Sequence, residues 1–142
     1  MTIKQLSIFL ENKSGTLVKV LDIFKQSQIQ LIAITIADTA EYGICRIICS
    51  EPTRAWEVLK AAGVAVALTD VFAIELNNTP GSGADAIKVF SDTGISIAYL
   101  YSFLVAGKGI LVFRTDNNEQ ARETILLNNL KFVTEDQLAT WA

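Results

Sequence analysis

The sequence predicts an α+β protein of two tandem βαββαβ modules, each an antiparallel sheet with its helices on one face. Three observations predict it. The chain repeats itself at a shift of about 66 residues, both halves alternate strand-like and helix-like apolar periodicity in the same order, and almost no linker separates them.

Under that shift Ile8 falls on Ile74, Leu10 on Leu76, Asn12 on Asn78 and Gly15 on Gly81. Phe24 then falls on Phe90, Ile29 on Ile95, Gly43 on Gly109, Ile44 on Ile110, Ala55 on Ala121, Glu57 on Glu123 and Asp70 on Asp136. A unit of this length is too long for a solenoid repeat and suits a small α+β domain. The modules are expected over 1–69 and 70–142.

In the first module Lys4–Leu10 alternates as a strand, and Glu11-Asn12-Lys13-Ser14-Gly15 reads as a turn. Leu17, Val20, Leu21 and Phe24 recur at the spacing of an amphipathic helix. The β-branched run Gln30–Ala37 is the second strand, Asp38–Gly43 a hairpin loop and Ile44–Cys49 the third strand. Glu51-Pro52 opens a second helix, because proline in the first turn gives up an N–H that has no helical partner anyway. Its inner face is Ala55, Val58, Leu59 and Ala62, Gly63 stops it, and Val64–Leu68 closes the module. The second module repeats the order with strands over 71–76, 95–104, 109–115 and 130–134 and helices over 83–92 and 117–128. This order is that of a ferredoxin-like fold, twice.

Composition narrows the function. The chain of 142 residues is 51% hydrophobic, with a mean hydropathy of +0.37. Along 95–104 one face reads Ile95, Ile97, Tyr99, Tyr101, Phe103 and the other Ser96, Ala98, Leu100, Ser102, Leu104. Helices on one side leave an apolar second face, most economically covered by a second copy, so a homodimer is expected. Tyr99, Tyr101 and Phe103 read as core or dimer contact. The net charge of −3 with scattered Lys and Arg gives no basic stripe for a phosphate backbone, and Ile44–Cys49 is no RNP-type string, so nucleic acid is not an expected partner. No apolar stretch reaches ~18 residues without polar interruption, and no signal peptide precedes the first strand, so neither membrane nor export is expected.

Cys45 and Cys49 lie on one strand with Cα atoms roughly 13 Å apart, beyond disulfide reach. They read as buried thiols, which fits a cytoplasmic protein. Their spacing is not that of a metal chaperone. With no histidine anywhere, the commonest general base and metal ligand are missing. Asp70 and Asp136 read as solvated strand ends, Glu57 and Glu123 as outer-face helix residues, and Trp56 and Trp141 as packing residues. No catalytic residue, metal or cofactor is assigned.

The strongest local signal is the repeated turn between first strand and first helix. It reads Asn12-Lys13-Ser14-Gly15-Thr16-Leu17 in one module and Asn78-Thr79-Pro80-Gly81-Ser82-Gly83 in the other. Glycine there permits a left-handed turn and close approach of a ligand, and the helix that follows offers unpaired N–H groups to a carboxylate. The same strings also suit ordinary Asx turns that cap a helix and bind nothing.

The string Asn-x-Ser/Pro-Gly-x at this place in a βαββαβ unit resembles the ligand loop of the ACT domain, and the resemblance covers nearly the whole chain, twice. It implies a non-catalytic sensor that binds a small amino acid or related metabolite at the interface between ACT modules and regulates an enzyme, here a separate protein. Carried over by position, it implicates Asn12, Ser14, Gly15, Thr16 and Leu17, and Asn78, Pro80, Gly81, Ser82 and Gly83. The second loop departs from the pattern, with Gly83 where the first has Leu17. An assembly partner without ligand, docking through its apolar sheet face, is the alternative.

Overall fold

The computed structural model describes residues 1–11, 13–38 and 42–142. Asn12 and most of the hairpin expected over 38–43 therefore lie outside the described residues. The chain divides into two units, Lys4–Thr69 with Ala142, and Met1–Ile3 with Asp70–Trp141.

In the first unit the elements are β1 (Ile3–Glu11), α1 (Thr16–Gln26), β2 (Leu31–Asp38), β3 (Tyr42–Cys49), α2 (Pro52–Ala61) and the start of β4 (Val66–Leu76). The antiparallel order is β2-β3-β1-β4. β3 is central, with Ile47 opposite both Leu6 and Ile34. Leu6, Ile8, Ile47 and Cys45 point to one side, where they pack with Val20 and Phe24 of α1 and Ala55 and Leu59 of α2. Val58 packs at the margin of this core. Ala62, expected on the inner face of α2, is its exposed C-cap. Arg54 closes the first turn of α2, donating from Nε to Glu51 Oε1 (3.1 Å) and from its terminal nitrogen to Oε2 (2.6 Å).

The second unit continues with β4, then α3 (Ser82–Asp92), β5 (Ile97–Val105), β6 (Lys108–Thr115), α4 (Asn118–Leu127), β7 (Lys131–Phe132) and α5 (Glu135–Trp141). β6 lies between β4 and β5, and β7 flanks β4, which repeats the strand order of the first unit. Phe72 and Ile74 of β4 and Leu111 and Phe113 of β6 meet Phe90 of α3 and Ile125 of α4. This core is aromatic: Phe113 lies 5.6 Å from Phe72 and 4.9 Å from Phe90, centroid to centroid.

Three features depart from the expected elements. The strands expected over 64–68 and 71–76 are one continuous strand, β4. Nothing between them is a turn former: Leu68-Thr69-Asp70-Val71 contains two β-branched residues and no Gly or Pro. Asp70 is thus mid-strand, not a strand end. In β5 the register shifts between Ile97 and Tyr99, so Ile97 joins the helix-side core while Tyr99, Tyr101 and Phe103 alternate to the other side.

The closing strand is cut to two residues because Thr134 caps a helix that the sequence reading did not include. Asp136 sits in its first turn, not at a strand end. This helix lies across the sheet from α3 and α4. Glu75 alternates with the core residue Ile74, its Oε1 is 3.4 Å from Lys108 Nζ, and that nitrogen stands 5.3 Å from the Trp141 ring centroid. The residues on that face of β4 and β6, Val71, Ala73, Ile110 and Val112, are buried, as is Leu138 of α5. The chain's own C-terminal segment is tied to these strands by Val133 N–H, which donates to Ala73 O at 2.9 Å, and by Trp141 beside Lys108.

Candidate ligand-binding site

The two turns that precede α1 and α3 have the same backbone. Gly15 has φ +87° and ψ −11°, and Gly81 has φ +87° and ψ −4°. This left-handed geometry is open to glycine without strain. In each turn the next residue bonds back to the residue before the turn's tip, Thr16 N–H to Lys13 O (3.3 Å) and Ser82 N–H to Thr79 O (3.2 Å). The glycine carbonyl then accepts the first helical bond, from Lys19 N–H (3.2 Å) and from Asp85 N–H (3.0 Å). Neither glycine N-cap offers a side-chain acceptor. By contrast, Asn117 at the start of α4 accepts from Gln120 N–H at 3.0 Å. Among the described residues neither glycine N-cap makes a side-chain cap bond to its helix, so the positive end of each helix dipole faces the turn without one.

The first turn carries an exposed ion pair, Lys13 Nζ to Glu11 Oε2 at 2.8 Å. The Lys13 hydrogen bond, reinforced by its charge, holds the Glu11 carboxyl below the usual range and raises the Lys13 ammonium. Thr16 Oγ1 donates to Lys13 O at 3.0 Å.

The second turn is flanked by two clefts. One, of about 330 Å³, runs from Asn77, Asn78, Thr79 and Ser82 to Leu76, Ser102, Phe103, Leu104 and Gly109. The other, of about 170 Å³, shares Leu76, Asn77, Thr79 and Ser82 and brings in Glu75, Asp85, Val89 and Leu130. The larger has no ionisable residue in its lining. The smaller has two carboxylates.

The comparison with known families decides the fold's kinship. The model of the ACT domain pair matches residues 1–142. The chain belongs to that family. This ACT pair is similar to the crystal structure of protein BT0572 from Bacteroides thetaiotaomicron, at 37% identity over 98% of this chain and 96% of that one, with a TM-score of 0.92. It shares the fold of the regulatory subunit of aspartate kinase from Thermus thermophilus in its ligand-free form (16% identity, 87% of this chain and 91% of that one, TM-score 0.61). The same subunit from Thermus flavus gives 18% identity, 87% and 88% coverage and a TM-score of 0.60. No curated protein matches the sequence.

Of the loop residues expected to act in the ACT pair, Asn78 and Ser82 line the larger cleft, and Ser82 also lines the smaller. Pro80 and Gly81 are exposed and shape the turn, and Gly83 is half-buried in the first turn of α3. In the first module Ser14 and Gly15 are exposed and Thr16 and Leu17 half-buried, Leu17 against the core. The sequence reading missed Asn77 and Thr79, which the loop itself contains, and Ser102, Phe103, Leu104 and Gly109, which strand pairing brings to it. It also missed a groove of about 240 Å³ whose lining includes Thr2, Asp70, Asn118 and Arg122.

Other candidates resolve simply. Cys45 and Cys49 are buried and form no disulfide, and burial pushes the Cys45 thiol up to about 11. Glu57 and Glu123 are exposed on their helices. Trp56 packs against the first core, with Lys60 Nζ 4.6 Å from its ring centroid. Among the described residues no three of His, Cys, Asp and Glu stand together as a metal site, and no helix is long and apolar enough to cross a membrane.

Proposed function

We propose that the chain is a non-catalytic regulatory protein that binds a small amino acid or related metabolite at an interface between ACT modules. The observation that carries this reading is the duplicated left-handed glycine turn, conformationally the same in both modules, which opens a helix without a side-chain cap. Such a turn presents amides and a positive dipole end to a carboxylate, and the amide and hydroxyl groups of Asn78, Thr79 and Ser82 suit an ammonium or carboxylate beside it. Two proteins of the same fold are regulatory subunits of aspartate kinase, which supports a role exerted on a separate metabolic enzyme. The protein is further proposed to be cytoplasmic and homodimeric. A ligand of about nine heavy atoms needs close to −0.9 kcal/mol per atom for micromolar binding, so contacts beyond the loop itself are required.

Isothermal titration of the protein with a panel of the twenty amino acids tests the reading. Saturable binding of one or a few is expected, and silence across the panel refutes it. The exposed apolar residues of the edge strands, Ile34 and Ile36 in β2 and Leu100 and Leu104 in β5, favour the second reading, an assembly partner without ligand. That reading gains if titration is silent while the protein still pairs with another chain.

A further inference from the structure

The larger cleft has a hollow floor. Gly109 of β6 is the register partner of Leu76 in β4 and of Leu104 in β5, so the one position between two leucines carries no side chain. The backbone does not demand glycine there, because Gly109 is not among the residues with positive φ. Nor does crowding demand it. A Cβ at Gly109 would meet Leu76 Cβ at 3.7 Å and Leu76 O at 3.9 Å, ordinary contacts. What the glycine preserves is space, in a strand where β-branched residues would otherwise be favoured.

The walls of that space are apolar on one side. Leu104 is 79% exposed, an unusual cost for a large aliphatic side chain, and Leu76 stands across Gly109 from it on the same face of the sheet. The opposite end is the loop, with Asn78, Thr79 and Ser82. The cleft therefore has a neutral polar end at the helix start and an apolar end at the strands. Its volume of about 330 Å³ lies at the bottom of the range for small-molecule sites, roughly 300–1,000 Å³. Among the described residues no cation lines it, and Glu75 and Asp85 line the cleft on the other side of the same loop. Glu75 has Lys108 at 3.4 Å. A carboxylate on a ligand side chain would lie unpaired among apolar groups with Asp85 nearby, which is unfavourable on both counts.

We propose that this cleft of the second module is a specificity pocket, selecting an amino acid with an aliphatic side chain of up to about leucine size and rejecting acidic ones, with Gly109 and Leu104 as the specificity-determining residues. The inference rests on the reading that the preceding loop receives the ligand's amino and carboxylate groups. It also separates the two modules. Gly43 repeats Gly109, with Leu10 as its partner in β1, but its partner in β2 is Asp38, where the second module has Leu104. The sequence therefore puts a leucine at this strand position in the second module and an aspartate in the first.

Titration of the wild-type protein with leucine, valine, alanine, serine, lysine and aspartate is the test, repeated on Gly109→Leu, Leu104→Asp and the first-module control Gly43→Leu. Leucine or valine is expected to bind best, with aspartate at least about tenfold weaker. Gly109→Leu, which fills the hollow, is expected to weaken leucine binding by about tenfold or more while Gly43→Leu leaves it unchanged. Leu104→Asp changes an exposed residue, so it provides the same test if Gly109→Leu does not fold; it too is expected to weaken leucine binding. Aspartate or lysine binding as tightly as leucine overturns the proposal but leaves loop binding standing, as does leucine binding unaffected by both second-module variants. Absence of binding by any amino acid to the wild type overturns the loop reading and the pocket with it.

Discussion

Thr134 and Gln137 exchange hydrogen bonds at the start of α5. Thr134 N–H donates to Gln137 Oε1 at 3.0 Å, and Gln137 N–H donates to Thr134 Oγ1 at 3.2 Å. This reciprocal pair is a capping box, satisfying two amides that a short helix would otherwise leave to water. It turns the chain out of β7 after two residues and starts the helix that brings Leu138 and Trp141 to the second face of the sheet. Thr134→Ala is expected to lower stability by about 1 kcal/mol, read as a fall of a few degrees in Tm.

The aromatic centre of the second unit offers a larger effect. Phe113 is fully buried and touches the rings of both Phe72 and Phe90, on a strand and on a helix. Phe113→Ala is expected to cost about 3–5 kcal/mol, measured by urea unfolding, since both the transfer of the ring and the cavity it leaves count against the variant.

Two left-handed positions invite a stabilising change. Gln28 follows α1 at φ +55°, while its counterpart after α3 is Gly94 at φ +76°. The surrounding bonds are the same in both, Ile29 N–H to Phe24 O (3.0 Å) and Ile95 N–H to Phe90 O (3.2 Å). Gln28→Gly is therefore expected to raise stability by up to about 1 kcal/mol, because the turn is kept and the steric penalty of a side chain in this region is removed. A lower Tm in this variant would contradict the argument.

Gly81→Val tests the turn itself. A Cβ at Gly81 meets nothing within 4 Å, so the effect is expected through backbone strain at φ +87° and not through collision. The variant is expected to lose about 1–3 kcal/mol of stability or to reshape the turn, and in either case to weaken amino-acid binding in the second module. Titration with Gly15→Val as the companion variant shows whether the first module contributes.

Burial of Cys45 makes a prediction about pH. Its folded-state pKa of about 11 lies above the ordinary 9.0, so the folded protein holds the proton more tightly than the unfolded chain. The associated stability is fully present below pH 9 and falls as the pH rises from 9 through 11, by up to about 3 kcal/mol. Denaturant midpoints across that range check the sign. At pH 7.5 both thiols are expected to react with a thiol reagent only after unfolding.

Much of the fold was legible in the sequence because the repeat supplies two readings of each element. Phe24 and Phe90 are both buried helix residues, and Gly15 and Gly81 share one backbone conformation, as an alignment of the halves implies. The features that escaped are those that do not repeat or that depend on pairing. The bulge beside Ile97 reverses the faces read from strict alternation. The Thr134–Gln137 box has no partner in the first half. Gly109 was visible as the twin of Gly43, but its use as a floor between Leu76 and Leu104 follows only from antiparallel register, which alternation along one strand does not reveal. The loops were found by their glycines, and the side chains that complete the cleft come from strands far away in sequence.

The unbroken course of β4 has a consequence for the handling of this chain. Its residues close one repeat and open the next, so the boundary between the two units, at Thr69 and Asp70, falls inside a strand and not in a loop. Expressing either half by cutting near Thr69 would divide that strand and leave each piece with a shortened share of it.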